Sequence, residues 1–228
     1  MTEQTQDRQD IRAVIDEWAV SRDAALWDRF RKVWHERGVM MATWFQGSAE
    51  EFVAVSQRGF ERGVNILHFL GGTSIELVGD RAVAQTKMQI LQRAVVHDVE
   101  VDVTCHGRFH DLFQRTGDGW LLVLRRLTYE KDWMVPVDPS ARLRLDPRTL
   151  ARFPDGYRHL AYLQSELGFD VHDNMPGIAG PETDKLYAQA QRWLEGENVA
   201  TLEASGVRSR AADAGARVRA SREDELDR

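Results

Sequence analysis

Apolar residues recur at helical spacing near the start of the chain and at strand spacing from residue 66 onward. Four apolar residues from Ile11 to Trp18 follow the i, i+3, i+4, i+7 rule, which predicts an amphipathic helix over about residues 6–23. A second apolar stripe at the same spacing runs from Leu26 to Trp34 and predicts another helix. The N-terminal segment is therefore expected to be helical.

A short strand and a third helix are predicted next. Gly38 breaks the second helix, and residues 39–45 have the pattern of a short apolar strand. Ser48 stands three residues before Glu51, which is the spacing of a capping box. A helix is therefore expected over about residues 49–61.

Long strands separated by short turns dominate the middle of the chain. The four predicted strands cover residues 66–78, 82–95, 99–115 and 120–133. Consecutive strands joined by tight turns form an antiparallel meander. We therefore predict an α+β fold in which N-terminal helices pack in a curved antiparallel sheet, forming a cone-shaped half-barrel whose interior is a natural pocket.

The strand pattern ends after Pro136. Prolines then separate short helical segments, and no further strand is predicted. Helices are expected over about residues 157–167 and 182–195, and they should lie over the main domain or across a subunit contact. The predicted organisation is a main domain over residues 1–138, a helical extension over residues 139–197 and a disordered tail over residues 198–228.

Composition and charge narrow the classes of partner. The net charge is −6, with Lys and Arg scattered along the chain, so nucleic acid is not an expected partner. The single cysteine, Cys105, cannot form an internal disulfide, which fits a reducing cytoplasm. The first residues do not resemble a signal peptide, and no apolar run reaches the length of a membrane span. We expect a cytoplasmic protein that binds a small molecule.

Asp23 and His68 are the main candidates for chemistry. Asp23 ends the first helix on its core-facing side, and His68 lies in an apolar run at the start of the first long strand. A buried carboxylate and a buried imidazole are each costly alone but can satisfy one another. Such a pair makes a general base, because the carboxylate fixes the imidazole tautomer and stabilises the imidazolium.

Residues 8–135 resemble the nuclear transport factor 2-like superfamily, in particular its SnoaL-like, dehydratase-type branch. The run from Ile11 to Trp34 is similar to the opening of the hexachlorocyclohexane dehydrochlorinases, whose catalytic aspartate falls on Asp23. His68, followed by Phe-Leu-Gly-Gly, matches the catalytic histidine of these enzymes and of scytalone dehydratases. The resemblance implies a cofactor-independent lyase, and a homo-oligomer that is a trimer or a dimer.

The same resemblance implies further site residues. Arg125 matches an arginine that lines the dehydrochlorinase pocket, and His106 falls near a second pocket histidine of scytalone dehydratases. Trp18 is a departure, because related enzymes carry a polar group there that can assist the leaving group. Tyr129 and Lys131 are the candidates to supply that acid instead.

Two reactions fit a bulky, hydroxylated and aromatic substrate. One is dehydration; the other is deformylation, in which a lignin-derived diarylpropane diol loses formaldehyde and gives a stilbene. Trp18 and Trp44 suit such a two-ring substrate. A non-catalytic binding or assembly module of the same fold is the alternative. No metal site is expected, because His106 and His110 stand about 13 Å apart along one strand.

Overall fold

The computed structural model describes residues 2–198, and nearly all of the predicted tail lies outside this range. The N-terminal half begins with helices and a short strand pair. Its elements are α1 (Glu3–Asp23), α2 (Trp27–Lys32), β1 (Trp34–Met41), β2 (Gln46–Ser48) and α3 (Ala49–Glu61). The capping box of α3 is confirmed, since the Glu51 amide donates to the Ser48 hydroxyl and the Ser48 amide donates to the Glu51 carboxylate.

Four long strands form the main sheet: β3 (Ile66–Val78), β4 (Arg81–Val96), β5 (Val99–Thr116) and β6 (Gly119–Pro136). They pair antiparallel in sequence order, as the meander predicts. The complete sheet has the order β2-β1-β6-β5-β4-β3, with both edges open. The prediction of an α+β half-barrel is confirmed.

The prediction for the segment around Trp34 was wrong. The second helix ends at Lys32, and Trp34 starts β1 instead of closing an apolar helical stripe. β1 runs parallel to β6, so the sheet is mixed and not purely antiparallel. The predicted strand over residues 39–45 ends early, because the Ala42 amide donates to the Phe45 carbonyl across a tight turn before β2.

The concave face of the sheet packs on α1, α2 and α3. Apolar residues at the predicted helical spacing, including Ile11, Ile15 and Trp18, are fully buried there. They meet concave-face residues of the long strands, such as Phe109 and Leu127. The helices thus fill the half-barrel, and their ends determine what lines its interior.

The C-terminal extension packs on both faces of the main sheet. It contains α4 (Pro147–Leu150), α5 (Arg158–Glu166) and α6 (Pro181–Leu194). α5 contributes Leu160 and Leu163 to the concave core, whereas α6 places Trp193 in a separate apolar cluster on the convex face. Between them the chain follows β6, where the Tyr129 amide donates to the Pro176 carbonyl.

None of the helices in residues 2–198 combines the length and the apolar character needed to cross a membrane.

Candidate active site

Asp23 and His68 are in direct contact inside the half-barrel. The Asp23 Oδ1 atom lies 2.8 Å from Nδ1 of His68, and Oδ2 accepts the backbone N–H of His68 at 2.5 Å. The exposed fractions of their side chains are only 16% and 6%. The predicted juxtaposition of the end of α1 with the start of β3 is therefore present.

This geometry determines the tautomer of His68. A carboxylate only accepts hydrogen bonds, so Nδ1 carries the proton and Nε2 bears the lone pair. Burial lowers the pKa of His68 below its usual value, and the hydrogen bond to Asp23 opposes this shift without reversing it. At neutral pH the ring is therefore an uncharged base with its lone pair on Nε2.

Two aromatic rings and a cation surround the imidazole. The Trp18 ring meets the His68 ring edge-on with centroids 5.2 Å apart, and the Phe109 centroid lies 6.0 Å away. Arg125 packs over both aromatic rings, with its guanidinium carbon 4.2 Å from the Trp18 centroid and 3.8 Å from that of Phe109. The predicted residues Trp18 and Arg125 are thus both grouped around the pair.

Arg125 is held in place by Asp111, a partner that the sequence analysis did not identify. The guanidinium donates Nε–H and Nη2–H to the two carboxylate oxygens at 2.8 and 2.7 Å, and both side chains are fully buried. Nη1 has no hydrogen-bond partner among the described residues. The cross-strand register of Asp111 with Arg125 would have revealed the pair only after the strand bulges had been located.

A small, partly open cavity of about 30 Å³ lies between α2, α3, α5 and the start of β3. Its walls are mainly aromatic and apolar, with a few polar groups. Its aromatic residues are Trp27, Trp44, Phe60 and Phe169. Trp44, which was predicted to bind substrate, is therefore on the wall of the cavity.

The cavity borders the Asp23–His68 pair without including either side chain in its wall. Arg22 and Ile66, each one or two residues from the pair, form the adjoining part of the wall. Nη1 of Arg22 lies 3.5 Å from Oδ1 of Asp23 and 3.4 Å from the Ile66 carbonyl oxygen. Sequence analysis missed Arg22, although its position beside the catalytic candidate on α1 was a usable signal.

Tyr129 lies deeper in the core than the cavity wall. Its hydroxyl bonds to Thr43, whose own hydroxyl donates to Oε1 of the cavity residue Gln164 at 2.7 Å. Burial raises the pKa of Tyr129 well above its usual value. A firmly protonated, already engaged phenol is poorly suited to release its proton to a leaving group.

The structure does not bring His106 or Lys131 to the pair, which corrects their predicted roles. Cys105 points into the core, so alternation along β5 places His106 on the convex face, where its ring packs on Trp133. Lys131 pairs in register with His106, because a bulge between His106 and Gly107 shifts the pairing. Both line a convex-face groove with Phe69.

The comparison with protein families matches residues 3–126 to the SnoaL-like domain, which is more than half of the chain. The chain belongs to the SnoaL-like family. Asp23, His68 and Arg125 all fall inside the matched segment, whereas Tyr129 and the extension come after it. The family named by the resemblance is thus confirmed.

Curated relatives of this SnoaL-like protein include two proteins from the fungus Fusarium vanettenii. A PEP2-like protein is 35% identical over 204 residues, covering 85% of this chain and 88% of its own length. Pea pathogenicity protein 2 is 34% identical with the same coverage. Since this coverage exceeds the SnoaL-like segment, the similarity continues into the C-terminal extension.

Solved structures with this fold include dehydratase- and dehydrochlorinase-type proteins. A type 2 hexachlorocyclohexane dehydrochlorinase is 11% identical with a TM-score of 0.50, covering 63% of this chain and 95% of its own. A protein from Novosphingobium aromaticivorans described as a scytalone dehydratase is 12% identical with a TM-score of 0.49, covering 62% and 97%. At these identities the likeness to the dehydrochlorinase supports the fold alone.

Proposed function

We propose that this SnoaL-like protein is a cofactor-independent lyase in which His68 is the general base and Asp23 its partner. The observation that carries the proposal is the state of His68, a buried and neutral imidazole whose Nδ1–H is held by Asp23, so that the lone pair is on Nε2. General-base assistance of this kind contributes on the order of 10²- to 10⁴-fold in rate.

In a dehydration, Nε2 of His68 takes a proton from carbon, the electron pair forms the new double bond, and the adjacent C–O bond breaks. Hydroxide leaves and becomes water on protonation. Arg125, with Nη1 unpaired among the described residues, stabilises negative charge as it develops. The cation already has a fixed position from Asp111, so it need not reorganise during the step.

In a deformylation, a phenolic 1,2-diaryl-1,3-propanediol first loses its phenolic proton and its benzylic hydroxide, together one water molecule, to give a quinone methide. His68 then removes the hydroxyl proton of the CH₂OH group on the neighbouring carbon. The carbon–carbon bond breaks, formaldehyde leaves, and the electron pair restores the aromatic ring of a stilbene. The products are formaldehyde, water and the stilbene.

The chemistry of the cavity supports an aromatic substrate. Four aromatic side chains line it, and rings of this kind pack well on a flat apolar ligand. The cavity adjoins the pair through Arg22 and Ile66. Its volume is about 30 Å³, so the side chains of its wall must move apart to admit a two-ring ligand. Lignin-derived aromatics are one source of such substrates.

A substrate panel tests the proposal. Purified protein is incubated with a phenolic 1,2-diaryl-1,3-propanediol, assayed for formaldehyde and stilbene absorbance, and with a β-hydroxy aryl ketone, assayed for the enone. We expect turnover of one class with no added cofactor. Turnover that His68→Gln leaves undiminished would remove the basis of the proposal.

A non-catalytic binding module is the second candidate, and one observation favours it. Neither His68 nor Asp23 is part of the cavity wall. A binding module would retain its ligand unchanged after long incubation, which mass spectrometry of the recovered ligand would detect. The predicted cytoplasmic location and the trimer or dimer stay predictions.

A further inference from the structure

The cavity beside the Asp23–His68 pair is lined by residues whose hydrogen-bonding atoms are not all paired. Three buried atoms on its lining residues have no hydrogen-bond partner among residues 2–198: Nε of Arg22, Oγ of Ser56 and Oε1 of Gln92. Buried polar groups in native proteins are nearly always paired. Unpaired groups in an otherwise aromatic cavity are therefore groups that a ligand would satisfy.

Of the three residues, Arg22 has the most hydrogen-bond donors without a close partner among residues 2–198. Only 9% of its side chain is exposed, yet its two hydrogen bonds are both long, at 3.5 Å to Asp23 and 3.4 Å to the Ile66 carbonyl. A guanidinium has five donors, and a buried one normally holds a close carboxylate or phosphate partner. Arg125 has such a partner in Asp111, whereas Arg22 has no carboxylate closer than 3.5 Å among residues 2–198.

Asp23 does not fill this role, because its carboxylate is already engaged. Oδ2 accepts the His68 amide and Oδ1 accepts the ring Nδ1–H, both at closer range than Arg22. The guanidinium therefore retains donors that can turn toward the cavity it lines.

The other two polar residues stand near Arg22. Gln92 pairs in register with Ile66, whose carbonyl Arg22 contacts, so both belong to the same end of the β3–β4 ladder. Ser56 faces the cavity from α3. The hydroxyl of Ser56 can donate to an anion, and Oε1 of Gln92 can accept from a ligand hydroxyl.

From these contacts we propose that Arg22, assisted by Ser56, binds an anionic oxygen of an aromatic substrate, while its rings pack against the aromatic walls of the cavity. The inference deepens the proposed function and rests on it for the identification of this cavity as the substrate site. The substrate class is thereby narrowed to aromatic compounds that carry a carboxylate or a phenolate oxygen.

Two matched probes test this. We would measure the binding of 2-naphthoate and of its neutral analogue 2-naphthamide to the full-length protein by isothermal titration calorimetry at pH 7.5. The expected result is that naphthoate binds more tightly. Arg22→Gln should weaken naphthoate binding by roughly 10- to 100-fold and leave naphthamide binding nearly unchanged, because a charge-assisted hydrogen bond is lost.

Arg29→Gln is the matched control. Arg29 is an exposed arginine on α2 that pairs with Glu17 and lies outside the cavity wall, so its replacement should change neither affinity. Arg22→Lys keeps the positive charge and should retain a reduced preference for naphthoate, and thermal denaturation checks that both Arg22 variants fold. If Arg22→Gln does not fold, the wild-type comparison and Arg22→Lys decide the question.

Several results would overturn the inference. Any one of three is sufficient: the wild type binds the two probes with equal affinity, it binds neither measurably, or the Arg22→Gln variant still prefers naphthoate. His68→Gln separates this inference from the proposed function. Retained naphthoate preference together with retained turnover in that variant would refute the general base and leave the anion site standing.

Discussion

One carboxylate, that of Asp23, accepts both the backbone N–H and the ring Nδ1–H of His68. The same two-point contact occurs between Asp132 and His159, where Asp132 also accepts the N–H of Leu160 in the first turn of α5. The two pairs differ in their surroundings. Asp132 anchors the start of a helix, whereas the pair of Asp23 and His68 lies among a cation, aromatic rings and a cavity.

The protonation of His68 can be measured without a substrate. We expect an NMR titration to give a ring pKa below 6.5, because burial disfavours the charged form. Asp23→Asn should lower the pKa further, since the carboxylate is the group that raises it. The His68 signal is assigned by its loss in His68→Gln. A pKa at or above 6.5 in the wild type would contradict the assigned state.

Asp132→Ala should detach the start of α5 from β6. The variant loses a buried carboxylate that accepts three hydrogen bonds, and we expect a loss of about 2 kcal/mol or more in the free energy of unfolding. Urea denaturation measures it. Asp138→Ala is the control, because Asp138 caps an exposed turn at Ser140. Equal stability of the two variants would show that Asp132 is not an anchor.

Asp111→Ala should be strongly destabilising. It leaves the guanidinium of Arg125 buried without its bidentate partner, which typically costs about 3–5 kcal/mol. The double variant Asp111→Leu, Arg125→Met should recover most of this loss, because no unpaired charge remains. Asp102→Ala removes a far more exposed ion pair with Arg93 and should cost much less stability in urea denaturation. A similar loss of stability in Asp111→Ala and Asp102→Ala would contradict the claim that Asp111 neutralises a buried Arg125.

His110 should make the fold sensitive to acid. Burial, with Arg108 and Arg126 nearby, lowers the pKa of His110 to about 4, against about 6.5 in an unfolded chain. Between these values the unfolded chain binds a proton that the folded chain does not, so stability falls as the pH falls from 6.5 toward 4. The loss at pH 5 should be roughly 2 kcal/mol relative to pH 7.

Urea denaturation of the wild type and of His110→Gln at both pH values measures this contribution. The difference between pH 7 and pH 5 should be smaller in the variant by that amount. An identical pH dependence in the two proteins would refute the assignment to His110.

Strong local patterns allowed much of the fold to be predicted. The meander is predicted by strands of at least 13 residues between clear turns, and α3 by its capping box. The contact of Asp23 with His68 was predictable because both occupy core-facing positions at the ends of well-defined elements. The elements that hold these residues are each predicted by a local pattern of a few neighbouring residues, although Asp23 and His68 themselves are 45 residues apart.

The errors arose where pairing between distant segments, or strand register, determines the element type of a residue or the sheet face on which it lies. Trp34 has a helical spacing, but its backbone pairs with Leu122 of β6, far along the chain. Bulges in β5 and β6 put Lys131 opposite His106 on the convex face. The unused hydrogen-bond capacity of Arg22 depends on distances to two neighbours, which no sequence pattern records.

The most direct test of the account compares kcat for the wild type, His68→Gln and Asp23→Asn on the substrate that the panel identifies. Retained folding is checked by circular dichroism and retained affinity by calorimetry with that substrate. The general-base account predicts that His68→Gln lowers kcat by at least about 100-fold while substrate affinity changes little. A folded His68→Gln variant with a wild-type kcat would contradict it.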